Sequence, residues 1–562
     1  MPDITFDPAP ADYRHWRLDI DGPVATLTLD VDPGAGLVPG YELKKNSYDL
    51  GVYIELADAV QRLRFGHPGV RAVIVTSGLD RMFCAGANIG MLAQSEHAFK
   101  VNFCKFCNET LAAIEDASAS GQVYIAALNG VAAGGGYELA MACDRILLAD
   151  DGSSTVALPE VPLLGVLPGT GGLTRLTDKR GVRRDLADVF ATTAEGVRGQ
   201  RAVDWRLADE LAKPTDFAAA ARALAGRVMP PERPGAAADG IDLPPLGRTA
   251  SDGGLKYEHV QVVFDTETAT AAITIAGPAQ VPSDIAELHA AGAAAWPLAA
   301  ARELDDAISR LRFAAPELGT WLLRTAGDPA AVLATDELLA RAGDDWLAAE
   351  ITGLWKRTLR RLDATSRSLI ALIEPGSCFA GTLLEVALAA DRQYMLDGIF
   401  EDGAAGQRPA AIELGPVNAG PLAAANGQTR LAIRFGGANQ AGAGTAPTGR
   451  DQLEAALAAA GKPLEGADAA ALGLVTAAPD DLDWDGEIRL MLAERAGFSP
   501  DALSGLEASL RFAGPESMAT KIFGRLAAWQ NWIFLRPNAS GPQGALRRYG
   551  TGQRADFDRK RV

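Results

Sequence analysis

The chain has 562 residues, of which 48% are hydrophobic and 22% charged, the balance of a water-soluble globular protein of roughly two to four domains. Its net charge of −18 argues against nucleic acid as the main partner, since a polyanion is held by a basic face; an anionic ligand would need a local basic patch. Five cysteines make no disulfide framework, no apolar run reaches the ~18 residues of a membrane span, and the acidic opening has no signal-peptide core, so a cytoplasmic protein is expected.

Residues 22–30 (GPVATLTLD) alternate as a strand does. Residues 31–42, rich in Gly and Pro, read as a loop. Lys44-Lys45-Asn46-Ser47 follows, and then Leu50, Ile54, Leu56, Ala59, Val60 and Leu63 recur as on one face of an amphipathic helix. By itself the Lys44–Lys45 pair is a solvated basic step before that helix. Val70–Thr76 is a second β-rich run, followed by the loop Phe83-Cys84-Ala85-Gly86-Ala87-Asn88-Ile89. Residues 98–117 read as a helix carrying Cys104 and Cys107. Zinc takes four ligands, and neither a second cysteine pair nor metal-spaced histidines exist. The two cysteines therefore read as small apolar helix residues, and no metal is expected.

The most informative stretch is Tyr124–Asp144, YIAALNGVAAGGGYELAMACD. Tyr124–Leu128 is an apolar run of buried-strand type, and Asn129-Gly130 signals a turn. Gly134, Gly135 and Gly136 then open an apolar helical run whose one charge is Glu138. Glycines let the backbone approach a ligand closely, and a helix start presents N–H groups that have no partner in the helix. Donors beside a carboxylate in apolar surroundings suit acid–base chemistry. The bland alternative is a Gly-rich helix start in which Glu138 favours the helix dipole. Further on, 153–158 is extended, and Pro159-Glu160 at its end suits a strand terminus facing a site. Gly169-Thr170-Gly171-Gly172 lacks the lysine of a phosphate-binding loop.

After residue 213 the chain turns Ala-rich, and 236–254 reads as a Pro/Gly-rich linker. Beyond it the first half recurs in order. Ala25–Leu29 matches Ala271–Ile275, Arg71–Gly78 matches Thr320–Gly327, Gly134–Arg145 matches Gly381–Arg392, and Gly172–Leu176 matches Gly427–Leu431. Landmarks repeated in order mean a second copy of the unit. In that copy PAAVLAT (329–335) replaces FCAGANI, and Thr382 and Leu383 replace Gly135 and Gly136. Glu385 remains where Glu138 stands. A helical ending, 486–562, holds Trp529 and Trp532 three apart; most such aromatic stripes are core.

Three segments, FCAGANI, ALNGVAAGGGYELA and PEVPLLGVLPGTGGLTRL, stand in the order and spacing of the crotonase (enoyl-CoA hydratase) superfamily, which the chain resembles. The resemblance implies an α/β fold, a spiral of ββα units, here duplicated in one chain and followed by a helical C-terminal region. The expected domains are 1–235 (catalytic), 236–254 (linker), 255–485 (degenerate second unit) and 486–562. It implies that the N–H groups of Ala87 and Gly135 form an oxyanion hole, and that Glu138 and Glu160 handle water and protons. It further implies that Lys44 and Lys45 meet coenzyme A phosphates and that Ala85, Ala87, Ile89 and Gly134 line the acyl-CoA path.

The doubled architecture and the tail (AWQNWIFLRPNA, with PGSCFAGTLLE at 375–385) resemble, within that superfamily, the carbon–carbon lyases that open the ring in aerobic benzoate breakdown. These need no cofactor beyond the coenzyme A of the substrate, and a cytoplasmic homodimer is expected. Two other readings fit the same residues: a different acyl-CoA reaction such as enoyl-CoA hydration, and a non-catalytic acyl-CoA-binding scaffold. The Glu138–Glu160 pair with an intact oxyanion loop argues against the scaffold.

Overall fold

The structure, a computed structural model, describes residues 4–562 except 233–239, 402, 404–405, 437–447 and 513. It divides into two compact units, Met1–Pro245 and Leu246–Val562. Each is described by itself.

In the first unit, β1 (Trp16–Asp21) and β2 (Val24–Leu29) form an antiparallel hairpin. Parallel strands then add to β2: β3 (Ala72–Ser77), β5 (Val123–Leu128), β7 (Arg145–Ala149) and β9 (Glu210–Ala212). A second, three-stranded parallel sheet holds β4 (Arg81–Cys84), β6 (Gly130–Ala133) and β8 (Val156–Ala157). Parallel strands are covered on both faces, so they are continuously apolar; Tyr124 to Leu128 in β5 are all buried. One face packs Ile74, Ile125, Ala127 and Leu147 against Ala221, Leu224 and Ala225 of the helix Phe217–Val228.

Four helices position the site. Helix α1 (Leu50–Gly66) begins at Asp49, whose carboxylate caps it by accepting from Val52 N–H. All six apolar positions expected on its face are buried. The helix α2 (Ile89–Gln94) is capped by Asn88, and α3 (His97–Ala119) contains Cys104 and Cys107 as free thiols. Helix α4 (Gly135–Ala142) follows β6 directly.

Two local expectations need correction. Asn129-Gly130 is not a turn: Gly130 opens β6, because the chain crosses there from one sheet to the other. A side chain on Gly130 would meet the Arg81–Met82 backbone at 2.1 Å. The end of the expected linker is also ordered. Within the second unit, β10 (Thr249–Ser251) and β11 (Gly254–Lys256) pair with each other, and β11 pairs on to β12 (Val260–Asp265). Residues 236–239 of that linker lie outside the described residues.

The second unit continues that sheet through β13 (Thr270–Ala276), β14 (Thr320–Ala326), β15 (Ser368–Ile373) and β16 (Arg392–Met395). Pairing is antiparallel as far as β13 and parallel beyond, the same change of sense as after β2. Helices Asp481–Ala496, Pro500–Arg511 and Ala527–Leu535 follow. Trp529 and Ile533 of the last lie over Gly505, where a methyl would meet Ile533 at 3.0 Å and Trp529 at 3.5 Å. Trp529 is thus a packing residue within this unit. Among the described residues no helix is long and apolar enough to cross a membrane.

Candidate active site

The site forms where the loop after β4 meets the start of α4. Gly86 has φ +86°, and a methyl on it would fall 2.9 Å from both Ala133 O and Gly135 N. Only glycine permits that approach, and it brings Ala87 beside Gly135. Gly134, at φ +54°, turns β6 into α4. Gly136 packs on Cys84, whose carbonyl oxygen would lie 2.4 Å from an added methyl. The loop is held from behind by Asn46, buried under Lys44–Lys45. Its amide donates to Leu29 O, Ser77 Oγ and Phe83 O and accepts from Val31 N–H.

Neither expected donor is used up within its own element. Ala87 bridges Tyr48 through its neighbours, with Tyr48 N–H donating to Gly86 O and Asn88 N–H to Tyr48 O. That parallel register leaves the Ala87 N–H pointing away from the bridge. Gly135 is the first residue of α4, so its N–H has no partner in the helix.

The two carboxylates differ sharply. Glu138 is buried and both its oxygens are engaged: Gly172 N–H donates to Oε1 at 2.7 Å, and the Thr170 hydroxyl donates to Oε2 in a short hydrogen bond. Burial raises its pKa, and those two hydrogen bonds oppose the rise. Glu160 is not at a strand end. It opens a π-helical turn, Glu160–Leu164, after Pro159, a geometry that recurs at functional sites. Its Oε1 lies over Gly134, 2.7 Å from where a methyl would sit. Its Oε2 is buried with no hydrogen-bond partner among the described residues. Burial, reinforced by the charge of Glu138, pushes its pKa up to about 7. One carboxylate is therefore fixed and the other is poised to exchange a proton near neutrality.

A cleft of about 720 Å³ opens beside the loop and is lined by Lys44, Ser47, Ala85, Ala87, Asn88 and Ile89, among others. It gathers four of the six expected substrate-binding residues. Lys45 is not among its lining; its backbone is left-handed (φ 57°), and its carbonyl accepts from Ala85 N–H. Gly134 lies beneath Glu160 instead. Lys44 is exposed and pairs with Glu42 at 2.7 Å, which raises its pKa.

Sequence reasoning missed Tyr48 and Thr170. The first follows the KKNS segment directly, and the second stands inside the PGTGG run. Each was read for its glycine or lysine neighbours rather than for its own hydroxyl.

The corresponding place in the second unit is filled from within. The helix Pro329–Arg341, which replaces the FCAGANI loop, delivers Asp336 onto the start of the helix Gly381–Leu388. Asp336 accepts from Thr382 N–H at 2.7 Å and from the Thr382 hydroxyl at 2.6 Å. Thr382 stands where Gly135 stands in the first unit, so the matching donor is occupied by a side chain. Glu385 is buried, accepts from Asn418 at 2.8 Å and faces the Arg430 guanidinium at 3.4 Å. Glu385→Gln should leave kcat and KM within about twofold of the parent but lower Tm by several degrees, because it breaks a buried ion pair. Steady-state kinetics beside a thermal melt checks both halves. A rate loss equal to that of Glu138→Gln would mean that the second unit does chemistry.

The first unit thus brings the Gly86–Ala87 loop, the start of α4 and the carboxylates of Glu138 and Glu160 together in one place. Residues 42–237 match the enoyl-CoA hydratase/isomerase family model. A benzoyl-CoA-dihydrodiol lyase from Aromatoleum evansii is 54% identical over 100% of this chain and 98% of that protein. A carnitinyl-CoA dehydratase from Proteus mirabilis is 31% identical over 33% of this chain and 67% of its own length. An enoyl-CoA hydratase structure from Bacillus anthracis is 27% identical, covering 38% of this chain and 76% of that one, at a TM-score of 0.33. The chain belongs to the enoyl-CoA hydratase/isomerase superfamily and, within it, to the benzoyl-CoA-dihydrodiol lyase family.

Proposed function

We propose that the chain is a carbon–carbon lyase. It converts 2,3-epoxybenzoyl-CoA and two waters to 3,4-didehydroadipyl-CoA semialdehyde and formate. The observation that carries this reading is one buried site that joins two unengaged N–H donors to a carboxyl poised near neutrality. The full-length likeness to the Aromatoleum evansii lyase supports the choice of acyl group.

In the first step, one water adds and the C2–C3 bond breaks; its electron pair passes into the ring diene, which gains hydrogens at C1 and C4 and keeps one double bond, and C2 and C3 are left as aldehydes. Glu160, in its ionised form, takes the proton of the attacking water. A second water then attacks the C2 aldehyde. The C1–C2 bond breaks, C2 leaves as formic acid, and the electron pair passes to C1 as a thioester enolate. The N–H groups of Ala87 and Gly135 hold the enolate oxygen, an interaction that strengthens only as charge develops. C1 regains a proton from the carboxyl group of Glu160. Glu138, fixed by Thr170 and Gly172, orients water. The steps are hydrolytic and balance without an oxidant or reductant, so the coenzyme is that of the substrate alone.

Lys44 and the cleft beside it would take the coenzyme A portion. The second unit is a degenerate copy of the first, with Asp336 in place of a thioester oxygen. A cytoplasmic homodimer is part of the same reading, and sedimentation analysis tests its oligomeric half. The deciding assay supplies the purified epoxide product of benzoyl-CoA oxygenation and follows formate. Stoichiometric formate supports the reading; crotonyl-CoA hydration without action on the epoxide overturns it.

A further inference from the structure

Tyr48 belongs to no motif, yet it occupies the centre of the site. It is buried, and a methyl on Gly135 would fall 1.7 Å from its hydroxyl oxygen. The phenol thus rests on the Cα of the residue whose N–H faces the thioester. Its backbone is tied on both sides to the loop that presents Ala87, through the Gly86 and Asn88 hydrogen bonds. The ring is fixed by Tyr53, 4.6 Å between centroids, and Phe103, 6.1 Å. Tyr53 is itself fully buried, and its hydroxyl lies beside the Tyr48 hydroxyl without forming a well-formed hydrogen bond among the described residues. Two phenols thus stand together in apolar surroundings beside the oxyanion donors, which is a poor arrangement if packing alone were needed: phenylalanine would fill the same space without a buried hydroxyl.

We propose that Tyr48 is a third donor of the oxyanion hole, its hydroxyl giving a hydrogen bond to the thioester oxygen held by Ala87 and Gly135. This rests on the proposed reading of those two N–H groups. Burial, with the nearby Glu138 among the lesser causes, pushes the phenol pKa well above its ordinary value. It therefore stays protonated, and a donor, throughout the working pH range. Convergence of three donors on one oxygen suits an enolate that must persist while formate departs. No substrate proton needs to transfer to or from Tyr48.

The test is Tyr48→Phe, read in two ways. On the epoxide, kcat should fall about 10²-fold, the effect of losing one such donor, with KM within about threefold. Independently of turnover, benzoyl-CoA labelled with carbon-13 at the thioester carbonyl is bound to each protein and its carbonyl stretch recorded. Hydrogen bonding polarises the carbonyl and lowers that frequency, so the band should lie higher in Tyr48→Phe than in the parent. A variant carrying 4-fluorophenylalanine at position 48 restores the volume over Gly135 without a donor, and should behave like Tyr48→Phe. Recovery of rate and band position in that variant would make Tyr48 a space-filler. An unchanged band in Tyr48→Phe would place the hydroxyl off the thioester and overturn the inference. If the band responds but the parent releases no formate from the epoxide, the donor stands and the reaction assigned to the site falls. A parent that binds no benzoyl-CoA sinks both.

Discussion

Glu160→Gln is expected to lose about 10²–10⁴ in kcat, the span of a positioned acid–base group, while holding acyl-CoA as tightly as the parent. Glutamine keeps the size and polarity of the side chain but can neither take nor return a proton. The Oε1 of Glu160 lies over Gly134 and its Oε2 has no hydrogen-bond partner among the described residues, so no neighbouring donor holds the carboxylate in one protonation state. The parent should also show an acid limb: with ionised Glu160 as the base, kcat rises as pH increases through about 7. That limb should vanish from the residual activity of Glu160→Gln. Stability should move the opposite way. The folded-state pKa near 7 stands above the ordinary 4.5, so the folded chain keeps a proton that the unfolded chain releases between those values. The contribution to stability is full below about 4.5, declines as pH rises through 7 and is flat above it. Removing the charge should therefore stabilise the variant at pH 8, by at most about 3 kcal/mol, and leave it unchanged near pH 4. Melts at both pH values check the sign. A variant with parental rate, or one destabilised at pH 8, would show that Glu160 is not a buried carboxyl in proton exchange.

Much of the proposed site is legible in the sequence because its residues lie in short, contiguous segments. Ala87 in the FCAGANI loop, Gly135 and Glu138 in one helix start, and Glu160 after Pro159 all lie where local signals are strong. Helix α1 was equally readable, since its apolar period and its buried face are the same fact. What escaped is set by tertiary geometry. Tyr48 looks like one more aromatic before a helix until the fold lays it on Gly135, and Thr170 looks like part of a glycine loop until it meets Glu138 from 32 positions away. The β6 strand was hidden because Asn-Gly is a turn signal in most contexts, whereas here the glycine is required by the Arg81–Met82 backbone. Lys44 and Lys45 are equivalent in sequence, but in the structure only Lys44 lines the cleft, while the left-handed Lys45 gives its carbonyl to Ala85 N–H. The proposal that the second unit is silent rests in the sequence on its missing glycines, and the engagement of the Thr382 N–H by the Asp336 carboxylate supports it.

Gly135→Val should cut kcat/KM by at least about 10², and the structure changes the reason. The glycine looked from sequence like an opening for the thioester; the space over its Cα is instead taken by the Tyr48 hydroxyl. Valine would drive that phenol out of place, and the displaced ring would carry with it the Tyr48–Gly86 and Tyr48–Asn88 hydrogen bonds that set Ala87. The N–H groups of both Ala87 and Gly135 are thereby disturbed by one substitution. Overpacking a fixed site typically costs about 1–3 kcal/mol, so Tm should fall by several degrees as well. Adding Tyr48→Ala to Gly135→Val separates the two effects. The second change makes room for the branched side chain, so part of the lost Tm should return. The rate should not, because valine still crowds the N–H and the phenol is gone. Measured together, kcat/KM and Tm of the single and double variants decide the matter. A folded Gly135→Val enzyme with near-parental turnover would place the thioester away from α4, and recovery of rate in the double variant would mean that crowding of Tyr48 was the whole of the defect.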